Sequence, residues 1–231
     1  MHNNSDAKNP FAKKSLALYI ALSIAALWPA GVSGAEKKAA APEAKPGIEA
    51  VKKDLKATDH KKRREALKSL GGVQAPEKQG LLREALTDED PAIRENSARM
   101  IGSSKDASAF KTLSDALASV DKSSRLGLLE GLGDLGDRRA VKQIAGYLTD
   151  EDRNTRWKAA EVLGRLGGDD GVDVLLKAAR EDKDDFVRKA AVESLGKTGT
   201  KSAAAALNAL KAGPDKKIAA WAANVLKAAG K

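Results

Sequence analysis

The stretch "DEDRNTRWKAAEVLGRLG", residues 150–167, decides the fold. Arg156 stands four residues after Asp152, and Leu163 and Gly164 follow it at seven and eight. The same frame surrounds Arg63, Arg94, Arg125 and Arg188, and consecutive arginines are 31 or 32 residues apart. The acid four residues earlier is Asp59, Asp90, Asp121, Asp152 and Asp184 in turn. The glycine eight residues later is Gly71, Gly102, Gly133, Gly164 and Gly196, and Leu70, Ile101, Leu132, Leu163 and Leu195 precede those glycines. A sixth copy keeps Asp215 and Leu226 but has Ala219 for the arginine and Lys227 for the glycine. A second series, Leu55, Leu86, Leu117, Leu148, Ala179 and Leu210, recurs every 31 residues.

Self-similarity at such a period signals stacked units, each unable to bury its apolar face alone. Each copy carries two helical patterns. In the fourth, Val141, Ile144 and Leu148 share one face of a first helix near 139–148. Ala159, Ala160 and Leu163 share the face of a second helix that opens after Asp152. Spacings of three and four are helical, whereas a strand would alternate. Gly164 or Gly167 is expected to end that second helix. Aromatics are 3% of the chain, and the abundance of Ala and Leu favours helices over a sandwich or barrel. The expected fold is all-α: a right-handed α-solenoid of about six two-helix repeats beginning at residue 47.

Residues 132–167, "LGDLGDRRAVKQIAGYLTDEDRNTRWKAAEVLGRLG", carry a family pattern of Leu-Gly, Asp, Ala-Val, Asp-x-Asp, Arg, Ala-Ala and Leu-Gly. In this the chain resembles the short HEAT-like repeat family, the repeat type of phycobilisome lyase subunits, over residues 47–231. The period is shorter than the ~40–47 residues of long HEAT and armadillo repeats. The resemblance implies a solenoid that presents an extended helical face to a partner. It brings no chemistry with it. HEAT-like hydroxylases hold a metal through repeated His-Glu pairs, and this chain has only His2 and His60. A bilin lyase subunit would imply a cytoplasmic phycobiliprotein partner, against which the N-terminus argues. HEAT-like DNA glycosylases share the architecture and none of their site residues.

Lys13 and Lys14 precede the apolar run "SLALYIALSIAALW" (15–28), which Pro29 and Gly31 break before the small residues of "GVSGA". This pattern is that of an export signal cleaved after Gly34 or Ala35. Fourteen helical residues span about 21 Å, short of a roughly 30 Å hydrocarbon core, so a retained anchor is the lesser reading. The expected division is a signal peptide over 1–35, a flexible Ala/Pro/Lys/Glu linker over 36–46 and the solenoid over 47–231. The mature protein is expected in the periplasm or outside the cell, as a monomer with no membrane span. The chain has no cysteine, which excludes disulfides, thiolate metal sites and Cys nucleophiles. No phosphate loop or nucleophile elbow is present, and "GGDDG" (167–171) falls between units as a turn. No catalytic residue, metal or cofactor is expected.

Each repeated Asp sits where a second helix opens, and its carboxylate can cap an orphan N–H there. Each Arg lies one turn on and beside core positions. Its guanidinium can reach its own Asp or that of the next unit. The set Asp59/Arg63, Asp90/Arg94, Asp121/Arg125, Asp152/Arg156 and Asp184/Arg188 is therefore expected to form a charge ladder that fixes register.

Positions one, two and five after the Arg should face outward along neighbouring second helices. They bring Leu126 and Trp157 together beside Lys158 and an acidic row of Glu130, Glu161 and Glu193. An apolar patch among charges suits recognition of a protein partner, whose identity these residues do not specify. The alternative is a Trp157 folded back onto its own helix. Lys61, Lys62, Arg63 and Arg64 cluster in "DHKKRREALK" (59–68) and read as a solvated end cap, as a polyanion contact or as an attachment to an acidic membrane or wall polymer. The net charge is +9. Nucleic acid is nevertheless disfavoured by export, by the acidic middle of the chain and by the lack of interleaved aromatics. The functional expectation is a non-catalytic scaffold for a protein partner. The alternatives are a polyanion-binding envelope module and a lyase-like or chaperone-like accessory to an enzyme.

Overall fold

The computed structural model describes residues 47–73 and 76–230. The expected export signal (1–35) and linker (36–46) lie outside the described residues. Twelve α-helices follow one another as six pairs, and no strand occurs among the described residues. The first helices are α1 (Ile48–Asp54), α3 (Lys78–Ala85), α5 (Phe110–Ser119), α7 (Val141–Gly146), α9 (Val172–Glu181) and α11 (Lys201–Lys211). The second helices are α2 (His60–Leu70), α4 (Pro91–Ser103), α6 (Arg125–Leu135), α8 (Arg153–Leu166), α10 (Asp185–Thr198) and α12 (Lys216–Ala228). The described residues form an α-solenoid of six helical pairs.

The repeated aspartates open the second helices. Asp59, Asp90, Asp152, Asp184 and Asp215 are N-caps whose carboxylates accept backbone N–H groups of the first turn. In the third unit Asp121 instead caps a short 3-10 turn, Lys122–Ser124, and α6 begins only at Arg125. The two aliphatic series form the spine of the core. Leu70, Ile101, Leu132, Leu163, Leu195 and Leu226 are buried, as are Leu86, Leu117, Leu148, Ala179 and Leu210, and all join one continuous cluster. "GGDDG" contains a 3-10 turn, Asp169–Gly171, that leads into α9.

The repeated glycine does not stop its helix after the first unit. α8 runs on through Gly164 to Leu166, and Gly167 caps it at φ +69°. Gly164 is buried where α8 crosses α10, and a Cβ there would lie 2.7 Å from the Ser194 Cβ. Gly102 faces the Gly131 backbone of α6 in the same way. Glycine is kept because second helices of adjacent units approach nearly backbone to backbone. In the sixth unit Lys227 replaces the glycine.

The arginine ladder also departs from expectation. The guanidinium does not pair with the Asp four residues before it. It crosses to the next unit, and its usual partner stands two residues before that unit's cap. Arg63 Nε meets Asp88 Oδ2 at 2.8 Å, Arg125 Nη1 meets Asp150 Oδ2 at 2.7 Å, and Arg156 Nε meets Asp182 Oδ2 at 2.8 Å. The cap carboxylates accept N–H groups of their own helices, and Asp90 and Asp121 also receive a guanidinium from the preceding unit, from Arg64 and Arg94. The arginine stem points back toward its helix start, under the preceding loop. Arg156 Nη1 also donates to the Asp150 and Glu151 carbonyls of that loop. The receiving acids do a second job, since Asp88, Asp150 and Asp182 accept the backbone N–H of Asp90, Asp152 and Asp184.

Two rungs are irregular. Ser119 stands where an acid is needed, and Arg94 reaches the cap residue Asp121 at 2.9 Å together with the Ser124 hydroxyl. Gly213 stands there in the sixth unit. Arg188 turns to Asp185 on its own helix, which also binds Lys217 of α12, and the buried Arg188 Nε has no hydrogen-bond partner.

The rungs differ in burial, and stability should follow. Both side chains of Arg156–Asp182 are 4% exposed, whereas Arg125 is 22% exposed. Arg156→Met strands the buried Asp182 charge and should cost on the order of 3 kcal/mol. Arg125→Met should cost about 1 kcal/mol. Urea midpoints compare the two, and equal losses would contradict the ladder. Acid should also unfold the protein. The Arg64 hydrogen bond holds the Asp90 carboxyl below its usual range, and the Thr155 N–H does so for Asp152. Depressed carboxyls give stability that is full above the ordinary range and is lost as pH falls through their folded values. Unfolding monitored by circular dichroism should therefore begin below about pH 4.

Candidate protein-interaction surface

Second helices pack directly on one another from unit to unit, α4 on α6, α6 on α8 and α8 on α10, far more closely than first helices do. This closely packed side carries the residues singled out above, but in a different arrangement. Leu126 is half-buried on α6 and Trp157 is half-buried on α8. The ring partner of Trp157 is Phe186 at the start of α10, with centroids 5.7 Å apart and planes inclined by 29°. Phe186 is 50% exposed, a large apolar side chain left in solvent. Arg153 lies 5.8 Å from the Phe186 centroid, and Lys158 Nζ lies 4.7 Å from that of Trp157. Trp157 is thus held in contact with the next unit. It is half of an aromatic step between α8 and α10.

Phe186 was not among the outward positions taken from the sequence. It falls two residues after the Asp184 cap, in the first turn, where the regular helix face is not yet established. An aromatic directly after a cap was the one signal available.

The acidic row is a neutralised network. Lys158 Nζ bridges Glu130 at 2.6 Å and Glu161 at 2.8 Å, and Arg165 binds Glu130 at 2.8 Å and Asp134 at 3.1 Å. Partial burial opposes the charge on Glu130, but Lys158 and Arg165 outweigh it and hold its carboxyl below the usual range. Burial likewise opposes the charge on Lys158, and its two glutamate partners raise its pKa nonetheless. Glu193 stays outside this network, exposed, with Lys189 of its own helix at 3.8 Å. Position two is not uniformly outward either. Gly127 and Ala190 are buried, Gly127 directly against Glu95 of α4.

The basic cluster divides. Arg63 is 6% exposed and committed to the ladder. Arg64 is bound to Asp90 at 2.5 Å. Their guanidiniums link units one and two, so the four-residue polyanion site expected from sequence shrinks to Lys61 and Lys62, which are exposed. Among the described residues no group of three or more His, Asp or Glu side chains is placed to hold a metal ion.

The family described as HEAT repeats matches residues 48–127, 111–196 and 163–227. No curated protein matches the chain. Among solved structures, the complex of CpcE and CpcF of phycocyanin lyase from Nostoc sp. is 21% identical, with a TM-score of 0.58, covering 88% of this chain and 83% of that one. An engineered protein is 21% identical, with a TM-score of 0.52, covering 79% and 96%. A designed armadillo repeat protein in complex with the peptide (KR)4 is 14% identical, with a TM-score of 0.51, covering 78% and 98%. These likenesses are of fold.

The exposure of the aromatic step sets its energetics. Phe186→Ala should lower stability by less than about 1 kcal/mol, well short of the ~3–5 kcal/mol of a core aromatic truncation. Thermal unfolding of the variant checks this, and a core-sized loss would show that the ring is part of the packing.

Proposed function

The chain belongs to the HEAT-repeat family, and from that membership we propose that it is an exported, non-catalytic scaffold that docks a protein partner on its second helices. The observation that supports this most is the Trp157–Phe186 step. A half-buried Trp157 stacked on an exposed Phe186, with a cation over each ring and a paired ion network beside them, suits a desolvated anchor within a polar rim. Trp and Tyr or Phe anchors supply binding through buried area, and paired charges around them exclude water without strong salt dependence.

Export rests on the N-terminal sequence alone. No described helix is long and apolar enough to cross a membrane. A second reading makes the scaffold an accessory to an enzyme. The likeness to a lyase complex suggests it, although at 21% identity that likeness is one of fold.

The test immobilises the full chain and the Trp157→Ala/Phe186→Ala double variant and exposes both to cell-envelope extract. A partner retained by the first and lost from the second, with binding that changes little between about 50 and 300 mM salt, is the expected outcome. A partner retained equally by both would overturn this surface. If the purified partner is an enzyme whose rate or maturation changes on binding, the accessory reading replaces the passive scaffold.

A further inference from the structure

One junction between second helices differs from the others. At the next three junctions the repeated glycines Gly102, Gly133 and Gly164 lie against the following second helix so closely that a Cβ would clash with it. Gly71 caps α2, and among the described residues a Cβ there would meet only the Lys68 carbonyl of its own helix. α2 and α4 accordingly touch far less than α4 and α6 do. Between them lies a groove of about 520 Å³. Ala92 and Met100, both half-buried, supply its accessible apolar lining over the buried Leu67, and Arg64, Lys68 and Arg99 stand around it. Met is the side chain best able to fit irregular occupants. Asp134 is the one carboxylate of the lining, and Arg165 already binds it. Lys68 is 72% exposed and, among the described residues, paired only with the equally exposed Glu65 of its own helix, a bond that a competing anion displaces at little cost. Arg99 is exposed, and its guanidinium donates to the neutral Asn96 amide.

We propose that this α2–α4 groove is a second docking site, which takes an acidic peptide segment of a partner by seating one apolar side chain on Ala92 and Met100 between carboxylates held by Lys68 and Arg99. It lies two units away from the Trp157–Phe186 step and differs from it in chemistry. There the charges are satisfied internally, and here two cations face the groove with weak or neutral partners. A basic segment is repelled by the same rim. A purely acidic polymer satisfies the cations and leaves the apolar lining wet.

The test titrates the full chain with fluorescent synthetic peptides followed by anisotropy. One peptide carries a central Leu flanked by Asp and Glu, a second replaces the Leu by Gly, and a third replaces the acids by Lys. The first should bind, weaken steeply between about 50 and 300 mM salt, and lose about tenfold or more in affinity with Lys68→Glu/Arg99→Glu. Asn96→Trp, which fills the groove without changing its charge, should also abolish binding, and both variants must melt like the parent. Trp157→Ala should leave the peptide affinity unchanged, so failure of the aromatic surface and failure of the groove are distinguishable. Equal binding of the Gly or Lys peptide, indifference to both groove variants, or no binding by the parent chain would each overturn the proposal.

Discussion

The structure depends on a guanidinium carried across a unit boundary. A two-helix unit of about thirty residues is too small to bury its apolar face or to satisfy the polar loop at its end. The arginine addresses the second problem. Its stem lies under its own loop, it donates to carbonyls there, and it ends on a carboxylate that the next unit uses to set up its helix cap. Arg156 links the Asp150 and Glu151 carbonyls behind it to Asp182 ahead. One side chain therefore fixes the loop of its own unit, the distance to the next and the position of the next helix start. Burying such a pair adds little net stability, but leaving half of it buried is costly. That asymmetry penalises any stacking in which the units slip.

The glycines act on the same boundary from the other end of the helix. Arginine and carboxylate hold the starts of neighbouring second helices, and the Leu-Gly steps let their far ends close to near backbone contact. In α6 the approach is tight on both sides, with Gly127 and Gly131 against α4 and Gly133 against α8. This concentration of contact on one side makes the second helices a continuous surface. The two proposed docking sites lie where the pattern is broken: at the aromatic step after Asp184, and at the first junction, where among the described residues no other helix lies against Gly71.

Much of the fold was legible in the sequence because its causes are local and repeated. A cap is chosen by the residue at the helix start, and an apolar face by spacing along one helix, so six copies at one cadence state both. The Asp59, Asp90, Asp152 and Asp184 caps, the two buried leucine series and the pairing of helices needed nothing beyond the chain itself. The candidate surface was legible only in part. Trp157, Lys158, Glu130 and Glu161 share a neighbourhood that the helix positions imply. Phe186 does not follow from those positions, since it stands in a first turn.

The sequence by itself determined the repeat, the helical pairs, the caps and the core faces, since each follows from the order of residues within about one turn. Tertiary structure alone decided where the charges end. Asp88, Asp150 and Asp182 are the first acids of Asp-x-Asp and not the Asp of the Asp–Arg frame, yet they receive the arginines, because partner choice across a boundary depends on distance between units and not on spacing along one. The same holds for Arg63 and Arg64, which look like a free basic cluster in the chain and are bound to the next unit in the fold. It holds for the glycines too. A glycine near a helix end looks like a stop until a second backbone is seen lying against it.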